Sequence, residues 1–156
     1  KSSSYFYKDN ELFYKDELVA VMGFGKPRIA LGKKHLPDEY ELHRFCVKKF
    51  YSIPGAPSKL LKYFEDHYNF KKIISYAKRD YSLGNLYKKL NFEFVKYTDP
   101  GYFWIIDGKR YHRFNYRKNK LVNETNNKKT EVEIMHENGY FRCYDSGNLL
   151  FAKENF

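Results

Sequence analysis

Between residues 40 and 97 the hydrophobic period changes repeatedly, and that succession restricts the fold more than any other property of the chain. Tyr40 to Val47 alternates like a half-buried strand. Ser52-Ile53-Pro54-Gly55-Ala56-Pro57-Ser58 breaks the pattern, and Leu60, Leu61, Phe64 and Tyr68 then recur at helical spacing, which predicts a helix from about 58 to 68. Lys71 to Ala77 predicts a strand, Ser82 to Leu90 a short helix, and Phe92–Tyr97 and Tyr102–Asp107 two further strands. The order β-α-β-α-β-β calls for helices packed on one sheet, an α+β or mixed α/β architecture.

The flanks extend this plan. Tyr5–Tyr14 and Leu18–Gly25, joined by K-D-E, read as a hairpin, which Phe24-Gly25-Lys26-Pro27-Arg28 ends before a basic loop. Thr130 and Glu133 make a capping box that opens a helix to about Asn138. Tyr140–Tyr144 and Asn148–Ala152 read as a hairpin around D-S-G, and residues 125–129 as a mobile loop.

A chain of 156 residues is the size of one domain, with a core over 1–107 and a basic extension, residues 108–156, packed on the same domain. Aromatic residues make up 20% of the sequence, more than a core alone uses, so many rings reach the surface. The formal net charge of +10 favours polyanionic partners, DNA first. Cys46 and Cys143 have no metal-ligand or disulfide pattern around them, which suits a reducing compartment, and Cys46 reads as a buried strand residue. The five histidines show no ligand spacing, so no metal is expected. No apolar run approaches the roughly 20 residues of a membrane span, and no signal peptide is visible, so the expectation is a soluble, cytoplasmic protein. The start at Lys1 rather than Met suggests a fragment.

The segment 109–120, K-R-Y-H-R-F-N-Y-R-K-N-K, holds Lys109, Arg110, Arg113, Arg117, Lys118 and Lys120 without an acid, interleaved with rings that include Tyr116. Cations meet phosphates and rings stack on bases, so this is a candidate nucleic-acid surface. Lys26, Arg28, Lys33 and Lys34 form a second basic patch, and Lys78 with Arg79 a third.

G-A-P-S-K-L-L-K-Y-F at 55–64, K-K-I-I-S-Y-A at 71–77 and S-L-G-N-L-Y-K-K-L-N-F at 82–92 together resemble the core of the GNAT acyltransferase fold over about residues 12–107. The resemblance implies a central, mostly antiparallel sheet flanked by helices, without the two helices that normally precede the hairpin. It also implies acetyl-CoA or another acyl-CoA as cofactor. Gly55, Ala56 and Ser58 would offer backbone N–H groups to its pyrophosphate at a helix start. Asn85 would approach the thioester arm, Tyr87 would protonate the leaving thiolate, and Glu41 would serve as base. Where the family pattern asks for Gln or Arg, Gly, and Gly or Ala, this chain has Ser52, Gly55 and Pro57. Pro57 has no N–H to give and suits the first turn of a helix, so a well-started helix without cofactor accounts for the loop equally well.

Within the superfamily, F-G-K-P-R at 24–28, Y-E-L-H-R-F-C at 40–46 and S-Y-A-K-R-D-Y-S-L-G-N-L-Y at 75–87 resemble two phage-associated groups. One is the Mom-type DNA-modification proteins. The other, similar also through 109–118 and 130–148, is the C-terminal domain of phage homing-endonuclease-like proteins. Three functions follow as alternatives. The first is DNA binding and targeting, the second N-acyl transfer to DNA bases or another acceptor, and the third, with no positive sign in the sequence, blockade of a host protein.

Overall fold

The computed structural model describes residues 5–28, 36–123 and 125–155, with side chains from residue 8 onward. In chain order the elements are β1 (Tyr5–Lys8), β2 (Glu11–Tyr14), β3 (Glu17–Gly25), β4 (Glu39–Val47), α1 (Ala56–His67), β5 (Lys72–Lys78), α2 (Asn85–Lys89) and β6 (Glu93–Tyr97). Then come β7 (Tyr102–Ile106), β8 (Lys109–His112), a 3-10 turn (Arg113–Tyr116), α3 (Lys118–Leu121), α4 (Glu131–Glu137), β9 (Phe141–Tyr144) and β10 (Asn148–Glu154). They fall into two compact units, one containing the chain up to Tyr97 together with Leu149 onward, the other Thr98–Asn148. The boundary expected at 107/108 instead lies inside the β7–β8 hairpin, whose ladder pairs Ile106 with Lys109 and so holds both sides in one unit.

The first unit is a seven-stranded sheet in the order β1-β2-β3-β4-β5-β10-β6, with α1 and α2 packed on it. β4 and β5 run parallel, whereas the β1–β2, β2–β3, β3–β4 and β6–β10 pairings are antiparallel. Alternation along the strands divides the sheet into two faces. Leu42, Ile73, Ala77, Leu149 and Phe151 join Leu60, Leu61 and Phe64 of α1 and Leu90 beyond α2 in the main core. Ile74, Leu150 and Ala152 form a separate cluster with Tyr76 on the opposite face.

Several expectations are corrected. The segment 5–14 is two strands, because Asp9 and Asn10 turn the chain at φ 48° and 65°, as Lys15 and Asp16 do at 49° and 64° before β3. The helix predicted from 58 starts at Ala56, with Gly55 capping at φ 77° and Pro57 in its first turn. β9 and β10 do not form a hairpin: β9 pairs with β7 and β10 with β6. The D-S-G corner is held by Asp145, whose carboxylate accepts from the N–H of Gly101 at 2.7 Å and of Gly147 at 2.9 Å. Cys46 is exposed on β4, not buried.

The second unit is the three-stranded sheet β8-β7-β9 with a core of Trp104, Ile106 and Met135. The expected capping box opens α4: Thr130 Oγ1 accepts from Glu133 N at 3.3 Å, and Glu133 accepts from Thr130 N at 2.7 Å. In the same first turn Glu131 accepts from the hydroxyl of Tyr102 at 2.8 Å and the indole N–H of Trp104 at 3.3 Å. Burial, then that bond, raises the Tyr102 hydroxyl above the ordinary tyrosine range.

Candidate functional site

The parallel ladder between β4 and β5 is short. It pairs Glu39 with Lys72, Tyr40 with Ile73 and Glu41 with Ile74, and is not continued beyond them. At the next position on each strand the backbone contact is replaced by a side chain: Ser75 Oγ lies 2.7 Å from the Leu42 carbonyl oxygen. Ser75 is 1% exposed and also lies 3.0 Å from the Tyr87 hydroxyl, which α2 carries to the same place. A serine has one proton and a carbonyl can only accept, so Ser75 donates to Leu42 and Tyr87 donates to Ser75. The Tyr87 ring is fixed by stacking on Phe151, 5.1 Å between centroids at 20°, and by an edge contact with Phe92. A phenol is thus held, with its proton direction set, where two parallel strands part. Sequence reasoning missed Ser75; the signal was a lone hydroxyl in the apolar run I-I-S-Y-A.

The other face of the same strands is charged. Glu41, 1% exposed, accepts from Arg28 N at 2.9 Å and from Arg28 Nε at 2.7 Å, and pairs with Nη2 at 2.6 Å. A buried carboxylate requires such partners. Arg28 in turn lies over the Tyr76 ring at 5.5 Å. Burial, with the Glu41 charge second, raises the Tyr76 hydroxyl above its ordinary range despite the opposing Arg28. His43 shares this face, its Nε2 3.9 Å from Glu41 Oε2 and its side chain 42% exposed. Glu41, expected as a base, has both oxygens engaged by Arg28, and Arg28, expected on DNA, pairs with Glu41 while its side chain stays 54% exposed. The exposed titratable group here is His43.

The loop before α1 keeps part of what a pyrophosphate needs. Ala56 N donates to Ile53 O at 3.2 Å and Lys59 N to Gly55 O at 3.0 Å, and Pro57 has no proton, which leaves the N–H groups of Gly55 and Ser58 without a partner among the described residues. Gly55 and Ser58 are exposed, whereas Ala56 is buried. A Cβ built on Gly55 would meet nothing within 4 Å, so the approach is open. Asn85 is exposed at the start of α2.

The basic stretch of the second unit has a recurring geometry. Lys109, Arg110, Arg113, Arg117, Lys118 and Lys120 are all exposed. Arg110 lies 3.7 Å from the Phe103 centroid, Arg113 4.5 Å from that of Tyr102, and Arg117 3.4 Å and Lys120 5.3 Å from that of Phe114. Arg142, not singled out from the sequence, lies near Tyr102 and Tyr144. Tyr116, expected as a stacking ring, packs instead on the core of the unit with an edge contact to Tyr111; the exposed ring is Phe114. In the first unit Lys26 is exposed, while Lys78 pairs with Asp80 at 3.7 Å and Arg79 lies over Tyr97 at 4.6 Å. Lys33 and Lys34 lie outside the described residues. Among the described residues no group of three His, Cys, Asp or Glu side chains is placed to hold a metal ion, and no helix is long and apolar enough to cross a membrane.

No family model matches the chain, and no curated protein matches its sequence. Solved structures do match. A GNAT-family acetyltransferase from Streptococcus pneumoniae aligns with a TM-score of 0.51 at 13% identity, covering 95% of this chain and 69% of that one. One from Bacillus cereus ATCC 10987 gives 0.50 at 12% identity, covering 94% and 69%. The PaiA N-acetyltransferase of Thermoplasma acidophilum, solved in complex with coenzyme A, gives 0.50 at 15%, covering 93% of this chain and 58% of that protein. The mixed α/β chain, with its mostly antiparallel sheet flanked by helices, therefore has the fold of GNAT acetyltransferases. These matches carry no sign of the closer resemblance to Mom-type or homing-endonuclease-like proteins.

Proposed function

We propose that the first unit is an acyl-coenzyme A-dependent N-acyltransferase. The observation that carries this reading is the Tyr87 hydroxyl, held by Ser75 where β4 and β5 part. In the reaction an acceptor amine attacks the thioester carbonyl, the C–N bond forms and the C–S bond breaks. The thiolate that leaves takes a proton from the Tyr87 hydroxyl, which turns from Ser75 to donate it. The proton lost by the amine goes to a base, and with Glu41 held by Arg28 that part falls to His43, exposed beside Glu41 on the other face. The coenzyme supplies the activated acyl group; Gly55 and Ser58 would bind its pyrophosphate through their N–H groups. The test measures thiol release from acetyl coenzyme A with amine acceptors, DNA bases included. Tyr87→Phe should lower turnover by about a hundredfold or more while coenzyme binding persists. Undiminished turnover in that variant would overturn the assignment.

A second reading concerns the second unit, and the ring-mounted cations of 109–120 favour it: this unit binds DNA. Guanidinium groups seated over rings while themselves exposed keep their charge toward solvent, where phosphates can meet it. The two readings are compatible, since DNA could be the acceptor. Duplex binding by the chain, measured against salt, tests the second one.

A further inference from the structure

A concave site of about 560 Å³ opens in the first unit between the start of α2, β6 and β10. Its lining sorts by chemistry. Arg79 and Lys88 bring two cations, and Ser82 and Asn85 bring a hydroxyl and an amide. Phe94 and Tyr97 form one wall, and Leu149 and Phe151 the floor. No carboxylate is among its lining residues.

The rings owe their placement to an irregularity in the sheet. Along β6 the partners run Tyr97 to Leu149 and Lys96 to Leu150, but then Phe94 to Phe151, so Val95 is an extra residue on β6. In a regular strand Phe94 and Tyr97, three apart, would point to opposite faces; the bulge turns both to the face of Leu149 and Phe151. Their centroids are 5.0 Å apart, and both remain about half exposed, at 46% and 59%. Gly84 completes the cleft. A Cβ there would come within 2.3 Å of the Phe151 ring, so only glycine lets that ring lie under the start of α2.

We propose that this cleft binds a nucleoside phosphate, with the phosphate on Arg79 and Lys88 and the base against Phe94 and Tyr97. The two ends of such a ligand match the two ends of the lining. Phosphate suits paired cations with neutral donors beside them, and a planar base suits exposed rings. The volume falls within the roughly 300–1,000 Å³ of small-molecule sites. Arg79 lies over Tyr97 at 4.6 Å, which orients its planar fork. The occupant can be a free nucleotide or one residue of a single strand, since both carry this chemistry. The proposal does not rest on acyl transfer, because Tyr87 is not among the lining residues.

Calorimetric titration of the full chain with AMP and with inorganic phosphate tests it. AMP should bind at least about tenfold more tightly than phosphate, through stacking of its base. Arg79→Gln combined with Lys88→Gln, and separately Phe94→Leu, should each weaken AMP by about tenfold or more, with unchanged melting temperatures. Tyr87→Phe should bind AMP like the wild type. Pentathymidylate that displaces AMP identifies a strand as the source, and one that does not leaves the free nucleotide as occupant. Absence of AMP binding at millimolar concentration, equal affinity for phosphate, or a folded Arg79/Lys88 variant that binds AMP normally would overturn the proposal.

Discussion

Arg28 in the first unit and Arg113 in the second carry the same side chain to opposite kinds of neighbour. Arg28 closes on the carboxylate of Glu41, which is buried and would otherwise stand as an unpaired charge. Arg113 lies on the ring of Tyr102, as Arg110 lies on Phe103 and Arg117 on Phe114. A carboxylate neutralises the cation it holds, whereas a ring orients it and leaves its charge for another partner. Counting basic residues along the sequence therefore does not distinguish a cation held by a carboxylate from one seated on a ring.

Substitutions can break or sharpen this contrast. The largest effect is expected for Arg28→Ala, which strands the Glu41 carboxylate and should cost about 3 kcal/mol of stability by denaturant unfolding. A loss near zero would mean that Arg28 is as available as the ring-bound arginines. Replacing Arg110, Arg113 and Arg117 together by Gln should leave stability unchanged yet make the dependence of duplex affinity on salt shallower by about 2.7 in log–log slope, so that a fourfold rise in salt costs the wild type about fortyfold more affinity than the variant. An unchanged slope removes these residues from any DNA contact. Ser75→Ala, which leaves the Leu42 carbonyl without its donor, should lower stability by about 2 kcal/mol.

The smallest effect belongs to the cap of α4, where Thr130→Ala should cost about 1 kcal/mol. This contribution depends on pH. The backbone N–H and hydroxyl of Thr130 hold the Glu133 carboxyl below its ordinary value. The group therefore stabilises fully above the unfolded carboxylate range, and that contribution disappears as the pH falls through the lower folded value. Thr130→Ala keeps the backbone donor and removes the hydroxyl, so the difference between wild type and variant should shrink in part on acidification; a difference constant from pH 7 to pH 3 would show that the hydroxyl–carboxylate bond plays no part.

Local rules made much of the fold legible. Helical spacing at Leu60, Leu61 and Phe64 located α1, alternation located β4, and Thr130 with Glu133 located α4, since each signal lies within a few residues of the element that it specifies. What was hidden depended on distant partners. D-S-G reads as a hairpin turn until Asp145 is seen to hold Gly101, far upstream. Asp9 and Asn10 were masked by the aromatic run around them. Tyr87 was legible as a candidate through its motif, but its partner Ser75 was not, because a hydroxyl in an apolar strand acquires meaning only when Leu42 and Tyr87 arrive beside it. The Arg28–Glu41 pair likewise joins residues 13 apart in the chain, which no periodicity connects.

The position of β10 bears on the order in which the molecule assembles. It lies between β5 and β6, yet the whole of Thr98–Asn148 separates it from β6 in the chain. Pairing β6 with β10 from an unfolded chain means closing that long loop, an entropic barrier that slows folding. The second unit can remove it. Thr98 N donates to Asn148 O at 2.8 Å, and Asn148 N donates to Thr98 Oγ1 at 2.9 Å, so once this unit is folded its two ends lie side by side. Synthesis completes Thr98–Asn148 before β10 emerges, and the folded insert then presents β10 to β6 as though a short turn joined them.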